Sequence, residues 1–311
     1  EALRIASDHR NVEIVKLLRD HIAKEENRIK ESLNERFTDI KDPLAELGIG
    51  KIQEIKDWMQ SIGEKFENID QALIICAKEG KKEFVEYLLN VGADVHANDD
   101  NALRWASYYG HTEIVKLLLD AGANVHANKD EALFNACFLL KHIEIIKLLI
   151  NANANVHIDN DNILRWASYW GYTEIVKIFL NANANVHAND DESLRKASAN
   201  GHTEIVKLLL NAGADIHANN DEALRYASEY GYTEIVKLLL DAGANVHAKN
   251  DYALRWAVMH GHTEVIKLLL DYGADVHIYD DEVLRVASYH GYTEIVKLLL
   301  DYGANIHAKE D

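Results

Sequence analysis

The sequence predicts an all-α fold: a helical solenoid of about ten helix-turn-helix units joined by short connecting turns. Three observations predict it. A His returns as His96, His126, His157, His187, His217, His247, His277 and His307, at intervals of 30 residues with a single interval of 31. A Gly returns on the same beat at Gly80, Gly110, Gly171, Gly201, Gly231, Gly261 and Gly291. Between them two segments recur, such as Ala-Leu-Arg-Trp-Ala-Ser (102–107) and Thr-Glu-Ile-Val-Lys-Leu-Leu-Leu (112–119). A fixed period of this size marks a stack of supersecondary units, each too small to bury its apolar face alone.

Taken in order, residues 1–21 read as one unit. Residues 22–41 fit no unit. Ile22, Ile29, Leu33, Phe37 and Ile40 fall at helical spacing there, which predicts a helical insertion, either packed as structure or serving as a docking arm. Residues 42–71 read as a degenerate unit, in which Gln53-Glu54-Ile55-Lys56-Asp57-Trp58-Met59 replaces the usual Thr-Glu-Ile-Val-Lys-Leu-Leu. Residues 72–311 read as a regular array of about eight units. The start at Glu1, in phase with a repeat, is what a fragment of a longer protein would show.

Residues 100–122 show how one unit is built. Asp100 is placed to cap a first helix running to Tyr109, and Gly110 stops it in a left-handed conformation. A second helix starts near Thr112-Glu113, where the acid suits the positive helix end. Ile114, Val115, Leu117 and Leu118 form its apolar stripe. Gly122 ends it, and 123–129 turns back to the next unit. Asn153 and Asn183 replace Gly at two matching stops, Asn being the next-best residue for that backbone shape. The 31-residue interval places one extra residue at about 138–141.

Gly-Ala-Asn-Val-His-Ala (122–127), Ala-Leu-x-x-Ala and Gly-His-Thr-Glu-Ile-Val-Lys-Leu-Leu-Leu (201–210) together resemble the ankyrin repeat. The resemblance covers nearly all of 1–307 except 22–41. It departs from the usual pattern in three ways. The Thr-Pro-Leu-His start is replaced by x-Ala-Leu-Arg, as in Glu222-Ala223-Leu224-Arg225. The unit is about three residues short in the turn region, and the turn Asn is the recurring His. Short repeats of this kind resemble the ankyrin families of giant, mimivirus-like DNA viruses. The resemblance implies stacked antiparallel helix pairs and a protein-protein interaction scaffold. The missing residues argue against long β-hairpin fingers. A viral origin would imply a host protein as partner, and the host cytoplasm or the virion as location.

Composition narrows the function. A net charge of −18 disfavours nucleic acid, whose phosphates need a basic face, and favours a basic or mixed partner. No apolar run approaches the ~18 residues that span a membrane. Cys76 and Cys137 stand where other units hold Ala or Ser, so they read as small buried thiols of a reducing, intracellular compartment. No phosphate loop, His-Glu-x-x-His, Gly-x-Ser-x-Gly or Cys cluster is present. The expectation is no enzyme, no cofactor and no metal. Successive His of the ladder sit one stacked helix apart, roughly 10 Å, which is too far to share an ion easily.

Most ladders read as framework. The His ladder is expected to hydrogen-bond between the turns of adjacent units. Arg104, Arg165, Arg195, Arg225, Arg255 and Arg285 each follow an Asp by four and are expected to pair with it on the same helix. Lys116 and its equivalents follow a Glu by three and read as a solvated face. Trp105, Trp166 and Trp256 are expected to face the core. One place does not repeat, the end of the first helix. It holds Tyr108 and Tyr109, then Phe138 and Leu139, then Tyr169 and Trp170, then Asn200, then Glu229 and Tyr230, Met259 and His260, and Tyr289 and His290. Constant positions are what a stack needs, and varying ones are free to specialise. Tyr and Trp are enriched at interface hot spots. These residues are the candidate partner-binding set, lining a concave groove, with packing between units as the alternative for some of them. A second function reading is self-assembly through the solenoid ends, because Glu294 to Leu300 is as apolar as any internal helix.

Overall fold

A computed structural model describes residues 49–138 and 142–307. The expected unit at 1–21, the helical insertion at 22–41 and Leu139 lie outside the described residues. Among those residues there are seventeen helices and no strand. The chain divides into two compact units, the first ending at Ala97 and the second running from Asn98.

The first unit holds α1 (Ile49–Ser61), α2 (Ile69–Lys78) and α3 (Lys82–Asn90). In α1, Ile52, Ile55 and Met59 are buried at helical spacing, so the degenerate segment keeps its core side. The Trp58 ring lies 5.6 Å from Phe84, and Lys81 sits 5.3 Å over Trp58. Asn68 caps α2 by accepting the Gln71 N–H at 2.8 Å. The Gln71 side chain in return accepts the Glu67 N–H at 3.1 Å.

The second unit alternates first and second helices of seven repeats. The pairs are α4 (Ala97–Tyr109) with α5 (Thr112–Asp120), α6 (Ala127–Phe138) with α7 (Ile143–Asn151), α8 (Asn162–Trp170) with α9 (Thr173–Asn181), and α10 (Ala188–Ala199) with α11 (Thr203–Asn211). The last three pairs are α12 (Ala218–Glu229) with α13 (Thr233–Asp241), α14 (Ala248–Met259) with α15 (Thr263–Asp271), and α16 (Ile278–His290) with α17 (Thr293–Asp301). First helices bury small residues, such as Ala223 and Ala227 around Leu224. Second helices bury larger ones, such as Ile235, Val236 and Leu239. From α8 onward, the small residues let successive first helices pack more closely than successive second helices do.

The stops behave as the sequence requires. Gly110, Gly171 and Gly231 take φ of 83, 80 and 78, and Asn153 and Asn183 take φ of 67 and 62. A side chain fails at Gly231 for a second reason. An added Cβ would lie 2.6 Å from the ring of His262, which reaches across from the next repeat. Gly110 and Gly171 meet His142 and His202 in the same way.

The helix starts differ from expectation. At the start of each first helix of the array, inside its first turn except at α8, where they precede it, three consecutive residues are left-handed: Asn98, Asp99 and Asp100, then Asn128, Lys129 and Asp130, and so on to Tyr279, Asp280 and Asp281. Asn and Asp dominate these triplets because their short polar side chains tolerate φ > 0. This tight turn stands where a β-hairpin finger would project. The Asp that ends it is left-handed and not extended as an ordinary N-cap is. Asp161 makes no capping bond. The Asp carboxylates link repeats instead. Oδ1 of Asp100, Asp161, Asp191, Asp221, Asp251 and Asp281 accepts the N–H of the residue 24 further on, at 2.7 to 2.9 Å. Asp130 reaches Asn155, 25 further on, because the extra residue intervenes.

Candidate functional site

The Arg ladder does not pair with the Asp four residues earlier. That Asp is occupied on its other side by the ladder His. Nδ1 of His126, His157, His187, His217, His247 and His277 lies 2.9 to 3.1 Å from it. A carboxylate only accepts, so this Nδ1 carries the proton. The Arg side chains turn outward and forward to the next repeat. Arg104 meets Glu131 at 2.6 Å, Arg165 meets Glu192 at 2.6 Å, Arg195 meets Glu222 at 3.0 Å and Arg255 meets Glu282 at 2.7 Å. At Glu192 burial opposes ionisation, but bonds from Asn189 and Arg165 outweigh it and hold the carboxyl below its ordinary range. Where Tyr252 replaces the Glu, Arg225 stacks on its ring at 5.1 Å and donates to the carbonyls of Asn219 and Asn220. Charges that sequence spacing would join within a helix therefore join repeats.

The varying positions fall at the end of each first helix. Tyr109, Tyr169, Trp170, Tyr230, Met259, His260, Tyr289 and His290 are exposed, Tyr230 by 52% and Tyr289 by 87%. Four candidates are half-buried and engaged in packing. Tyr108 stacks on Phe138 of the next repeat at 6.3 Å. Asn200 folds back to donate to the Lys196 carbonyl at 2.8 Å. Glu229 accepts from the Tyr252 hydroxyl at 3.2 Å, and its carbonyl bonds the His262 ring at 2.9 Å. Burial, with the Glu229 charge beside it, pushes the Tyr252 phenol up to about 12, so it stays a donor.

The three Trp do not sit in the core. Trp105, Trp166 and Trp256 are half-buried. Trp105 stacks on Tyr109 at 5.7 Å, and Tyr109 on His111 at 6.3 Å. Tyr252, Trp256, His260 and His262 form one continuous stack at 5.4, 5.5 and 6.0 Å. Tyr226, Tyr230 and Tyr232 repeat the pattern, as do His290 and Tyr292. The residues missed in the sequence are Tyr226, Tyr252, Tyr279 and the ring that follows each first-helix stop Gly from Gly110 onward. Except for Tyr279, their signal was available: rings at i, i+4 and i+6 fall on one side of a helix and its following turn. The strip is interrupted in α10, where Lys196, Ala199 and Asn200 stand between aromatic fields on either side.

Among the described residues no group of His, Cys, Asp or Glu is arranged to hold a metal ion, and no helix is long and apolar enough to cross a membrane. Cys76 and Cys137 are buried free thiols. Burial pushes Cys76 up to about 12 and raises Cys137 as well, so neither offers a thiolate nucleophile at neutral pH.

No curated protein matches the chain. A family model for ankyrin repeats, three copies long, matches residues 50–129, 126–190, 183–250 and 224–310. With helix pairs on a near-constant period, glycine stops and stacked first helices over the same residues, the chain belongs to the ankyrin repeat family.

Proposed function

We propose that the protein is a non-enzymatic scaffold that binds a protein partner along the aromatic strip of its first helices, in a concave groove. Ankyrin repeats generally mediate protein-protein interactions, and the family membership carries that coarse function. The observation that carries the finer reading is the contrast of registers. Asp, His, Arg and the stop Gly recur and serve the junctions between repeats, while the two positions just before each stop Gly vary and expose Tyr, Trp and Met. The closer packing of the first helices supports a concave surface on their side. The resemblance to giant-virus repeats makes a host protein the partner class, met in the host cytoplasm or virion.

Affinity capture from cell lysate tests it, using the protein beside a variant carrying Tyr109→Ala, Tyr169→Ala and Trp170→Ala. Exposed aromatic anchors of this type cost ~2 kcal/mol or more each when truncated at an interface. The variant should lose the partner while keeping its circular dichroism. A partner retained by both proteins would sink the strip assignment. Recovery of the same chain alone would favour the second reading, stacking of copies through the face that exposes Tyr289 and Ile306.

A further inference from the structure

We infer that the strip takes an extended, arginine-bearing segment of its protein partner, with guanidinium groups laid on the open rings. This rests on the scaffold reading and names the chemistry of its ligand. Three observations carry it.

The first is that the face already binds guanidinium groups, its own. Arg225 lies 5.1 Å over Tyr252 and 6.0 Å from Tyr226, and Arg255 lies 4.8 Å over Tyr279. A planar guanidinium stacks on a ring more readily than the compact, strongly hydrated ammonium of Lys. Tyr230 and Tyr289 present comparable rings to solvent.

The second is charge. Residues 98–311 hold 31 acidic and 18 basic side chains, a net −13. The Arg ladder beside the strip is consumed internally, and Lys196 is the cation that stands in the strip itself. Arg104, Arg165, Arg195 and Arg255 are paired with Glu of the following repeat, and Arg225 and Arg285 donate to backbone carbonyls. The turn tips beside the strip expose Asp99, Asp159, Asp190 and Asp280 against Lys129 and Lys249. An incoming cation meets attraction from the rim and no unpaired Arg of the ladder.

The third is spacing. Packed helices are about 8–10 Å apart, and an extended chain of the polyproline II type rises about 3.1 Å per residue with about three residues per turn, so every third side chain points the same way. One repeat therefore corresponds to about three residues of ligand. The rings of Tyr230, His260 and His290 stand at one register of successive repeats. Arginine at every third position would meet them in turn.

The test uses fluorescein-labelled twelve-residue peptides on the whole protein, read by anisotropy in about 0.15 M salt, where long-range attraction is largely screened. One peptide is Arg-Gly-Ser repeated four times. The others replace every Arg by Lys or by Glu. The Arg peptide should bind about fivefold or more tighter than the Lys peptide, and the Glu peptide should not bind. Tyr230→Ala with Tyr289→Ala leaves the charge unchanged and should weaken the Arg peptide about tenfold, while Tyr230→Phe with Tyr289→Phe should restore it. Equal affinity for Arg and Lys, unchanged by the Ala pair, would mean diffuse attraction to an acidic protein and would overturn the inference. No binding of the Arg peptide also overturns it. If the lysate partner is lost from the strip variant but the Arg peptide does not displace that partner, the scaffold reading stands and the arginine assignment falls.

Discussion

Before α2 the chain arrives extended, with Asn68 at φ −154 and its side chain holding the Gln71 N–H. α12 instead opens through three left-handed residues in its first turn, Asn219, Asn220 and Asp221, with φ of 52, 58 and 52 and no side-chain cap. Yet both junctions make the same link. Asp70 Oδ1 accepts the Asp94 N–H at 2.7 Å, and Asp221 Oδ1 accepts the Asn245 N–H at 2.7 Å. Each joins a first helix to the turn 24 residues on. What the stack needs is a carboxylate at that point, and the backbone path leading to it is negotiable. The surroundings differ too. Asp221 is buried and also receives the His217 ring, whereas Asp70 is half-buried and follows Phe66 at the corresponding position.

That comparison breaks most directly at the carboxylate. Asp221→Ala removes two charge-assisted bonds from a buried site, leaves the Asn245 N–H unpaired and puts Ala at φ > 0. These sum to roughly 3 kcal/mol. Asp70→Ala loses one bond at a wetter site and should cost about half of that. Amide exchange at Asn245 and Asp94 reads each junction separately, which suits a stack whose repeats can open locally. Equal losses at the two sites would mean that burial and the His ring add nothing to the link.

The two backbone paths separate with a single residue type. Thr caps a helix nearly as well as Asn but is β-branched and resists left-handed geometry. Asn68→Thr should therefore change stability by a few tenths of a kcal/mol, and Asn220→Thr should cost about 1–2 kcal/mol. Urea midpoints of the two variants compare them directly. The reverse order would contradict the description of both junctions.

Much of this architecture was legible. Helix pairs, glycine stops and the Asn replacements at 153 and 183 follow from apolar spacing and from which residues accept φ > 0. The junction partners were not. Asp221 and Arg225 are four apart, and local helix rules join them, but Asp221 lies outside regular helical geometry, so Arg225 points elsewhere. Its partners are the Tyr252 ring of the next repeat and the carbonyls of Asn219 and Asn220 in the left-handed turn that opens its own helix. A period in the sequence says that contacts between neighbours exist. It does not say which of several ladders meet, because every ladder recurs at the same interval. The strip was read by its variation, which separates free positions from constrained ones. The Trp positions were misplaced because a large ring usually belongs to a core. In this stack Ala223, Ala227 and their equivalents occupy the space where first helices touch, and rings are left to the rim.

The smallest expected effect lies at the His. Nδ1 of His217 sits 3.0 Å from Asp221, but the imidazole is 57% exposed and the carboxylate keeps the Asn245 N–H without it. His217→Ala removes one charge-assisted bond whose donor can be replaced by water. It should cost about 0.5–1 kcal/mol, well below the loss from Asp221→Ala. The first compact unit supports that ranking, because Phe66 offers no ring nitrogen and Asp70 still holds Asp94. Amide exchange at Asn245 is again the measurement. If His217→Ala opens that junction as far as Asp221→Ala does, the ring rather than the carboxylate fastens the repeats. The two kinds of junction would then be different devices rather than two routes to one.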